Sequence, residues 1–139
     1  MSTQSEASRP LPQATAETAP FWEAARAGRL AIQHCRACHH KQFYPRAFCT
    51  SCLSDEIEWV DASGQGRIYT YTVCRIAASP AFESKLPLAV AMIDLDEGVR
   101  MLANIVNSDI GRITIGSRVA VCFERVDETC TLPQFELCD

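Results

Sequence analysis

The chain has 139 residues and a mass of 15.4 kDa, room for one domain or two very small ones and too little for most enzyme folds built around a large cofactor. It is 47% hydrophobic and 22% charged, and its net charge of −4 argues against a polyanion binder, which needs clustered Lys and Arg. No apolar run approaches the about 18 residues of a membrane span, and the start lacks the apolar stretch of a secretory signal, so a cytoplasmic protein is expected.

Residues 1–19 (MSTQSEASRPLPQATAETA) are small, polar and proline-bearing, with Leu11 the large apolar residue after Met1. Such a segment buries too little to offset its ordering entropy and is read as a disordered tail. Thr18 is placed to cap, Pro20 suits a first helical turn and Gly28 a C′ position, which predicts a short helix over Phe21–Ala27. Phe21, Trp22 and Ala25 would share one face, packed on its own domain or docked on something else. Leu30–Gln33 alternates like a strand, Lys41–Tyr44 is a second strand closed by Pro45, and Ile57–Val60 is a third.

From residue 61 the pattern is all β. Asp61–Gly66 reads as a turn and Arg67–Arg75 as a strand, followed by a loop over residues 76–86 bounded by Pro80 and Pro87. Leu88–Leu95 turns through Asp96-Glu97-Gly98 into Val99–Asn107. Residues 108–117 have room for one helical turn capped by Ser108 or Asp109, before strands at Arg118–Val126 and Leu132–Cys138. Five strands with a helical turn between the third and fourth fit a small Greek-key barrel of the OB type. The predicted fold is mainly β: a tail over 1–19, a short helix and a three-stranded, cysteine-bearing segment over 20–60, and a five-stranded OB-fold barrel over 61–139.

Eight cysteines are the loudest feature of the composition. Cys35-x-x-Cys38 and Cys49-x-x-Cys52, separated by ten residues, fall within 18 residues, and the other four are scattered. Each C-x-x-C turn presents two thiolates to one point, and two such turns complete a tetrahedron around Zn²⁺. Iron takes the same tetrahedron of sulfur, and a redox dithiol is a third reading; the spacing favours structural zinc. Four thiolates leave no open position for substrate, so a catalytic metal is disfavoured. His34, His39 and His40 are then solvated loop residues. Cys74, Cys122 and Cys138 lie in strand patterns and read as small buried hydrophobes, whereas Cys130 lies in a turn open to solvent.

All three histidines lie between positions 34 and 40, which leaves the barrel half without the commonest general base. Its acids, Asp94, Asp96, Glu97, Asp127 and Glu128, sit in turns as solvated surface. No nucleophile elbow, P-loop or Gly-rich dinucleotide motif occurs. The residues compose no complete catalytic constellation, so no catalytic residue is assigned, and a binding or accessory subunit is expected.

The run FWEAARAGRLAIQHCRACHHKQFYPRAFCTSC, then EWVDASGQGRIYTYTV and PLAVAMIDLDEGVRMLANIV, resembles the acyl-CoA-associated zinc-ribbon/OB-fold protein family over residues 21–126. The specific pieces are Phe21-Trp22, Gly28-x-Leu30, both C-x-x-C pairs, Pro45-Arg46, Glu58-Trp59, Ser63-Gly64 and the Leu95–Gly98 hairpin. The resemblance implies a helix, a rubredoxin-like zinc ribbon held by Cys35, Cys38, Cys49 and Cys52, and an OB barrel. Two departures stand out: His39 where the family usually has glycine after the first C-x-x-C, and Tyr44-Pro45 where it often has two prolines. It also implies an accessory role beside thiolase-like enzymes that make or break carbon–carbon bonds on CoA thioesters, such as benzoylsuccinyl-CoA thiolase or steroid side-chain retro-aldolases.

The leading expectation is therefore a non-catalytic zinc subunit in a hetero-oligomer with a thiolase-like enzyme, sharing an acyl-CoA site, with no nucleic-acid or membrane partner. Phe21, Trp22 and Phe82 are the candidate partner or channel residues, because each offers apolar area on a short helix or flexible loop. A nucleic-acid module is the alternative, since zinc ribbons and OB barrels both bind single strands. Charge opposes it: residues 61–139 hold seven Arg or Lys against eleven Asp or Glu. A free-standing acyl-CoA binder or thioesterase lacks a nucleophile and base.

Overall fold

The structure, a computed structural model, describes residues 10–138. Residues 1–9 of the expected tail lie outside the described residues. Residues 10–17 are exposed and end in a threonine clasp, in which Thr15 N–H donates to Thr18 Oγ1 at 2.8 Å and Ala19 N–H to Thr15 O at 2.8 Å. Thr18 holds the N-cap position of helix α1 (Ala19–Arg26), but its hydroxyl serves Thr15 and makes no cap bond. The helix thus begins two residues earlier than predicted. It ends as Gly28 directs: with Gly28 at φ +80°, Gly28 N–H reaches Ala25 O at 3.0 Å and Arg29 N–H reaches Ala24 O at 2.8 Å. That pair of bonds is a Schellman ending.

Strands β1 (Ala31–Cys35), β2 (Lys41–Gln42) and β3 (Ile57–Asp61) form an antiparallel sheet ordered β2-β1-β3. The predicted second strand stops after two residues, because Phe43 leaves the sheet to meet Phe21 edge-on with ring centroids 5.5 Å apart. Strands β4 (Gln65–Cys74), β5 (Leu88–Leu95), β6 (Arg100–Ile105), β7 (Arg118–Arg125) and β8 (Thr131–Leu137) close into a barrel ordered β4-β5-β6-β8-β7. Gln65 and Gly66, expected in a turn, open β4. Gly66 pairs with both Leu95 and Val119 where β4 bridges its two neighbours, and a Cβ there would strike Asp94 O. Single 3₁₀ segments at Pro80–Lys85 and Ile110–Arg112 fill the two longer connections, the first inside the expected 76–86 loop.

Alternation along β5 and β6 sends Ala89, Ala91, Ile93 and Leu95, and Met101, Ala103 and Ile105, inward. Side chains of graded size meet around the barrel, as in the row Ala89–Ile105–Phe135, and the large Phe135 is wholly buried. The same core cluster takes in Phe21, Leu30 and Ile32 from the helix and ribbon. Full burial of Leu30 and Ile32 contributes about 1.5–3 kcal/mol each. Cys130 corrects the sequence expectation: it is buried, whereas Cys138 is exposed and Cys74 and Cys122 are half-buried. No helix among the described residues is long and apolar enough to cross a membrane.

Cys130 is drawn inward by the turn between β7 and β8. Asp127 Oδ1 accepts from Thr129 N–H at 2.8 Å, Thr129 Oγ1 at 2.9 Å and Cys130 N–H at 2.8 Å. The bonds from Thr129, then Cys130, hold the Asp127 carboxyl below its usual pKa. A depressed carboxylate contributes stability above its unfolded pKa of about 3.9 and loses it as pH falls through the folded value. Asp127→Ala is therefore expected to lower the denaturation midpoint at pH 7, and the gap from wild type should close as pH drops below about 3.9, read by urea melts across that range.

Candidate metal centre and adjoining groove

Two knuckles of the same build converge at one end of the ribbon. In the first, His39 N–H donates to Cys35 O at 2.8 Å and Cys35 N–H to His40 O at 2.8 Å. In the second, Leu53 N–H donates to Cys49 O at 3.0 Å and Cys49 N–H to Ser54 O at 2.8 Å. Each turn needs a left-handed residue after its second cysteine, and His39 (φ +67°) and Leu53 (φ +65°) adopt that conformation. The missing family glycine at position 39 is thus met by a strained histidine, without loss of a ligand.

The four Sγ atoms of Cys35, Cys38, Cys49 and Cys52 lie within 4.8 Å of one another. Cys35–Cys52 and Cys38–Cys49 are each separated by 3.6 Å. Sulfurs about 2.3 Å from a tetrahedral zinc ion stand about 3.8 Å apart, so the donor set fits the ion in type, number and spacing. Burial opposes a thiolate at Cys49, but N–H groups of Cys52 and Ser51 and the neighbouring thiols outweigh it and bring its pKa to about 7. At Cys52 the Ser54 bond favours the thiolate, yet burial and the three other cysteines together drive its pKa to about 12. One thiolate favoured by its neighbours and another opposed by them describe four sulfurs that cannot all ionise without a cation among them, as at a site for a dication.

Behind the second knuckle lies a buried pair of amides. Gln42 Nε2 donates to Gln33 Oε1 at 2.8 Å and to Phe48 O at 3.2 Å, while Gln42 Oε1 accepts from Thr50 N–H at 2.9 Å and Thr50 Oγ1 at 3.0 Å. Gln33 Oε1 accepts from Arg46 N–H at 2.9 Å, and Gln33 Nε2 donates to Arg46 O at 3.1 Å. Of the three histidines expected in solvated loops, His39 is exposed, His40 is half-buried, and His34 is half-buried on β1. His34 Nδ1 is 2.7 Å from Glu58 Oε2, and His40 Nε2 is 3.1 Å from Thr50 Oγ1.

Where the ribbon meets the barrel an apolar groove of about 410 Å³ opens, walled by Phe21, Trp22, Tyr44 and Pro45 and floored by Leu102 and Pro133. A second groove of about 330 Å³ lies beside Phe82, Lys85 and Cys122. Asn104 and Gln134 line both. Of the sequence candidates, Phe21 is a core residue at 8% exposure, Trp22 is half-buried on the first groove, and Phe82 is half-buried on the second. Tyr44, Leu102, Asn104 and Gln134 were not singled out by sequence, since each reads locally as an ordinary strand or loop residue.

The barrel's acids have structural employment. Asp96 pairs with Arg118 at 3.0 Å, Asp94 pairs with Arg100, and Glu97 accepts from Ser63 N–H at 2.8 Å. The Cys122 thiol is pushed up by burial and then by Glu136 and Glu124, which leaves it protonated and weakly nucleophilic.

A family model described as the ChsH2 rubredoxin-like zinc ribbon domain matches residues 22–58, and one described as the ChsH2 C-terminal OB-fold domain matches residues 59–124. The chain belongs to the ChsH2 family. It is 37% identical over 130 residues to a probable enoyl-CoA hydratase alpha subunit of Thermomonospora curvata, covering 94% of this chain but 40% of that one. It is 35% identical to a DUF35 domain-containing scaffold protein of Methanocaldococcus jannaschii, covering 68% and 67% of the two chains. Among solved structures, a chain titled Ltp2-ChsH2(DUF35) aldolase superposes with a TM-score of 0.82 at 36% identity, over 91% of this chain and 98% of that one. This ChsH2-family chain thus spans less than half of the hydratase alpha subunit and nearly all of the aldolase chain.

The two left-handed knuckle residues generate a stability test. A side chain in that conformation costs about 1–2 kcal/mol, partly offset for glycine by its freer unfolded state. Leu53 is 78% exposed, so its removal forfeits little packing. Leu53→Gly is expected to raise the unfolding free energy of the zinc-loaded chain by about 0.5–1 kcal/mol, measured by denaturant titration.

Proposed function

We propose that this chain is a zinc-holding, non-catalytic subunit that associates with a thiolase-like enzyme acting on acyl-CoA thioesters and helps build that enzyme's acyl-CoA site. The observation that carries the reading is the groove at the ribbon–barrel seam, whose wall comes from one module and whose floor from the other. An apolar cleft of about 410 Å³ suits an acyl or pantetheine chain, and half-exposed Leu102 and Tyr44 give a partner an apolar rim to cover. The likeness to the Ltp2-ChsH2(DUF35) aldolase chain, 36% identical along nearly its full length, supports the same assignment. The partner supplies the cations that a CoA phosphate requires, because the barrel half is acidic.

Zinc, held by Cys35, Cys38, Cys49 and Cys52, supplies structure and no chemistry, since four thiolates leave it no free position. The chain's own residues then act by shape: Trp22, Tyr44 and Leu102 exclude water from an apolar chain, and Phe82 and Lys85 border the second groove, which shares Asn104 and Gln134 with the first. Catalytic groups belong to the partner in this arrangement.

Purified without chelator, the chain should carry close to one zinc, and Cys49→Ser should release it and unfold residues 30–60, read by elemental analysis and circular dichroism. Metal-free protein of native fold would overturn the metal assignment. Reconstitution tests the partner. A thiolase-like subunit from the same host should form a stable complex whose acyl-CoA turnover exceeds that of either component, and Leu102→Asp should weaken complex formation or acyl-CoA binding by about ten-fold or more without loss of zinc. Full turnover by the isolated chain, or wild-type behaviour of Leu102→Asp, would overturn the shared-site reading.

A further inference from the structure

We infer that the buried Gln33–Gln42 amide pair positions the groove wall from the metal centre, so that metal loading sets the shape of the groove. The inference rests on the zinc and groove assignments of the preceding subsection and goes beyond them by naming the residues that join the two. Cys49 is a ligand, and its neighbour Thr50 gives both its N–H and its hydroxyl to Gln42 Oε1 at 2.9 and 3.0 Å. Gln42 passes the connection to Gln33 at 2.8 Å, and Gln33 grips the backbone of Arg46 on both its N–H and its carbonyl. The next two residues back along the chain, Pro45 and Tyr44, belong to the groove wall. Tyr44 reaches across the seam, where its Oη accepts the N–H of Leu102 on β6 at 3.2 Å.

The amides fit this role better than that of filler. Gln42 makes two donor and two acceptor bonds, the full capacity of its side chain, at 7% exposure, and Gln33 lies at 3%. A buried amide whose bonds are all made holds its partners in one arrangement, and the loss of any bond strands a polar group away from water. The segment between the cysteine pairs has little other regular structure: β2 ends at Gln42, and residues 43–50 contain no helix or strand. Its course is therefore set by these two side chains, by the packing of Phe43 on Phe21 and by the knuckle that follows.

Strand β6 supplies an internal control. Two of its amides take side-chain acceptors: Leu102 N–H uses Tyr44 of the ribbon, and Asn104 N–H uses Gln134 Oε1 of the barrel at 2.9 Å. A signal that comes from the knuckle must reach the first and spare the second.

The test is residue-resolved amide exchange by NMR on the full zinc-loaded chain, with zinc release to a chelator timed in parallel, for wild type, Gln42→Met, Thr50→Val and Tyr44→Phe. Gln42→Met is expected to keep its zinc but release it about ten-fold faster, and to exchange the Leu102 amide about ten-fold faster while Asn104 is unchanged. Thr50→Val, which removes the hydroxyl's contacts with Gln42 and His40 but keeps the N–H bond to Gln42, keeps the experiment alive if Gln42→Met fails to fold and should shift both readouts in the same direction by a smaller factor. Tyr44→Phe should free the Leu102 amide and leave zinc release at the wild-type rate. Zinc-loaded variants of Gln42 and Thr50 with wild-type Leu102 exchange, or Leu102 and Asn104 quickening together, overturn the inference alone. A wild-type chain that takes up no zinc overturns the metal reading and this inference with it.

Discussion

A three-stranded sheet with strands of five, two and five residues buries too little to hold itself together, and the architecture follows from how that deficit is met. At one end four sulfurs converge. At the other, Leu30 and Ile32 enter the barrel's core beside Phe21, so the ribbon borrows a hydrophobic interior it has no residues to build. Neither anchor replaces the other. The sulfurs fix the knuckles, which contain almost no buried apolar area beyond the cysteines themselves, and the barrel fixes the far ends of β1 and β3. The buried amides bridge the stretch between.

The barrel has a matching weakness. Strand β6 meets β8 in parallel at a single register point, Ile105 opposite Phe135, and the rest of that edge diverges. An open sheet edge exposes backbone donors that invite unwanted pairing. Here Tyr44 and Gln134 accept from Leu102 and Asn104, so the edge is satisfied by side chains, which occupy less room than a strand. The space saved is the groove. The cleft and the closure of the barrel are therefore two aspects of one mismatch between β6 and β8, and the ribbon carries the tyrosine that meets the edge.

Most of the fold was legible because its signals are short-range. The C-x-x-C spacing, Gly28 after a helical stretch, and the alternation from Leu88 to Leu95 each state their structure within a few residues. Boundaries slipped where distant partners intervene: Phe43 leaves β2 for Phe21, Thr18 turns to Thr15, and Gly66 joins β4 because two strands close on it. Cys130 looked exposed because a turn is usually wet, and it is buried because Asp127 folds the turn over it. Of the site, the four sulfurs could be read directly. The amide pair could not, because two glutamines nine positions apart carry no periodic or motif signal, and their meaning depends on a strand pairing that sets Gln33 opposite Gln42. Tyr44 and Leu102, 58 positions apart, are joined only by the closed fold.

The passage from ribbon to barrel is three residues long, Ala62 to Gly64, and its backbone is tied at each step. Ala62 N–H donates to Leu30 O at 2.7 Å, Ser63 N–H to Glu97 at 2.8 Å, and Gly64 O accepts from Val121 N–H at 2.7 Å. A Cβ on Gly64, at φ +80°, would collide with Val121. Such a connection has no hinge. The groove between the modules cannot gape by swinging one body away from the other, the slow microsecond-to-millisecond route that two-domain clefts use. Entry to such a cleft would fall instead to rotamer changes of exposed rim side chains such as Leu102, on the picosecond-to-nanosecond scale, which makes it a fixed mould with a quick rim and not a jaw.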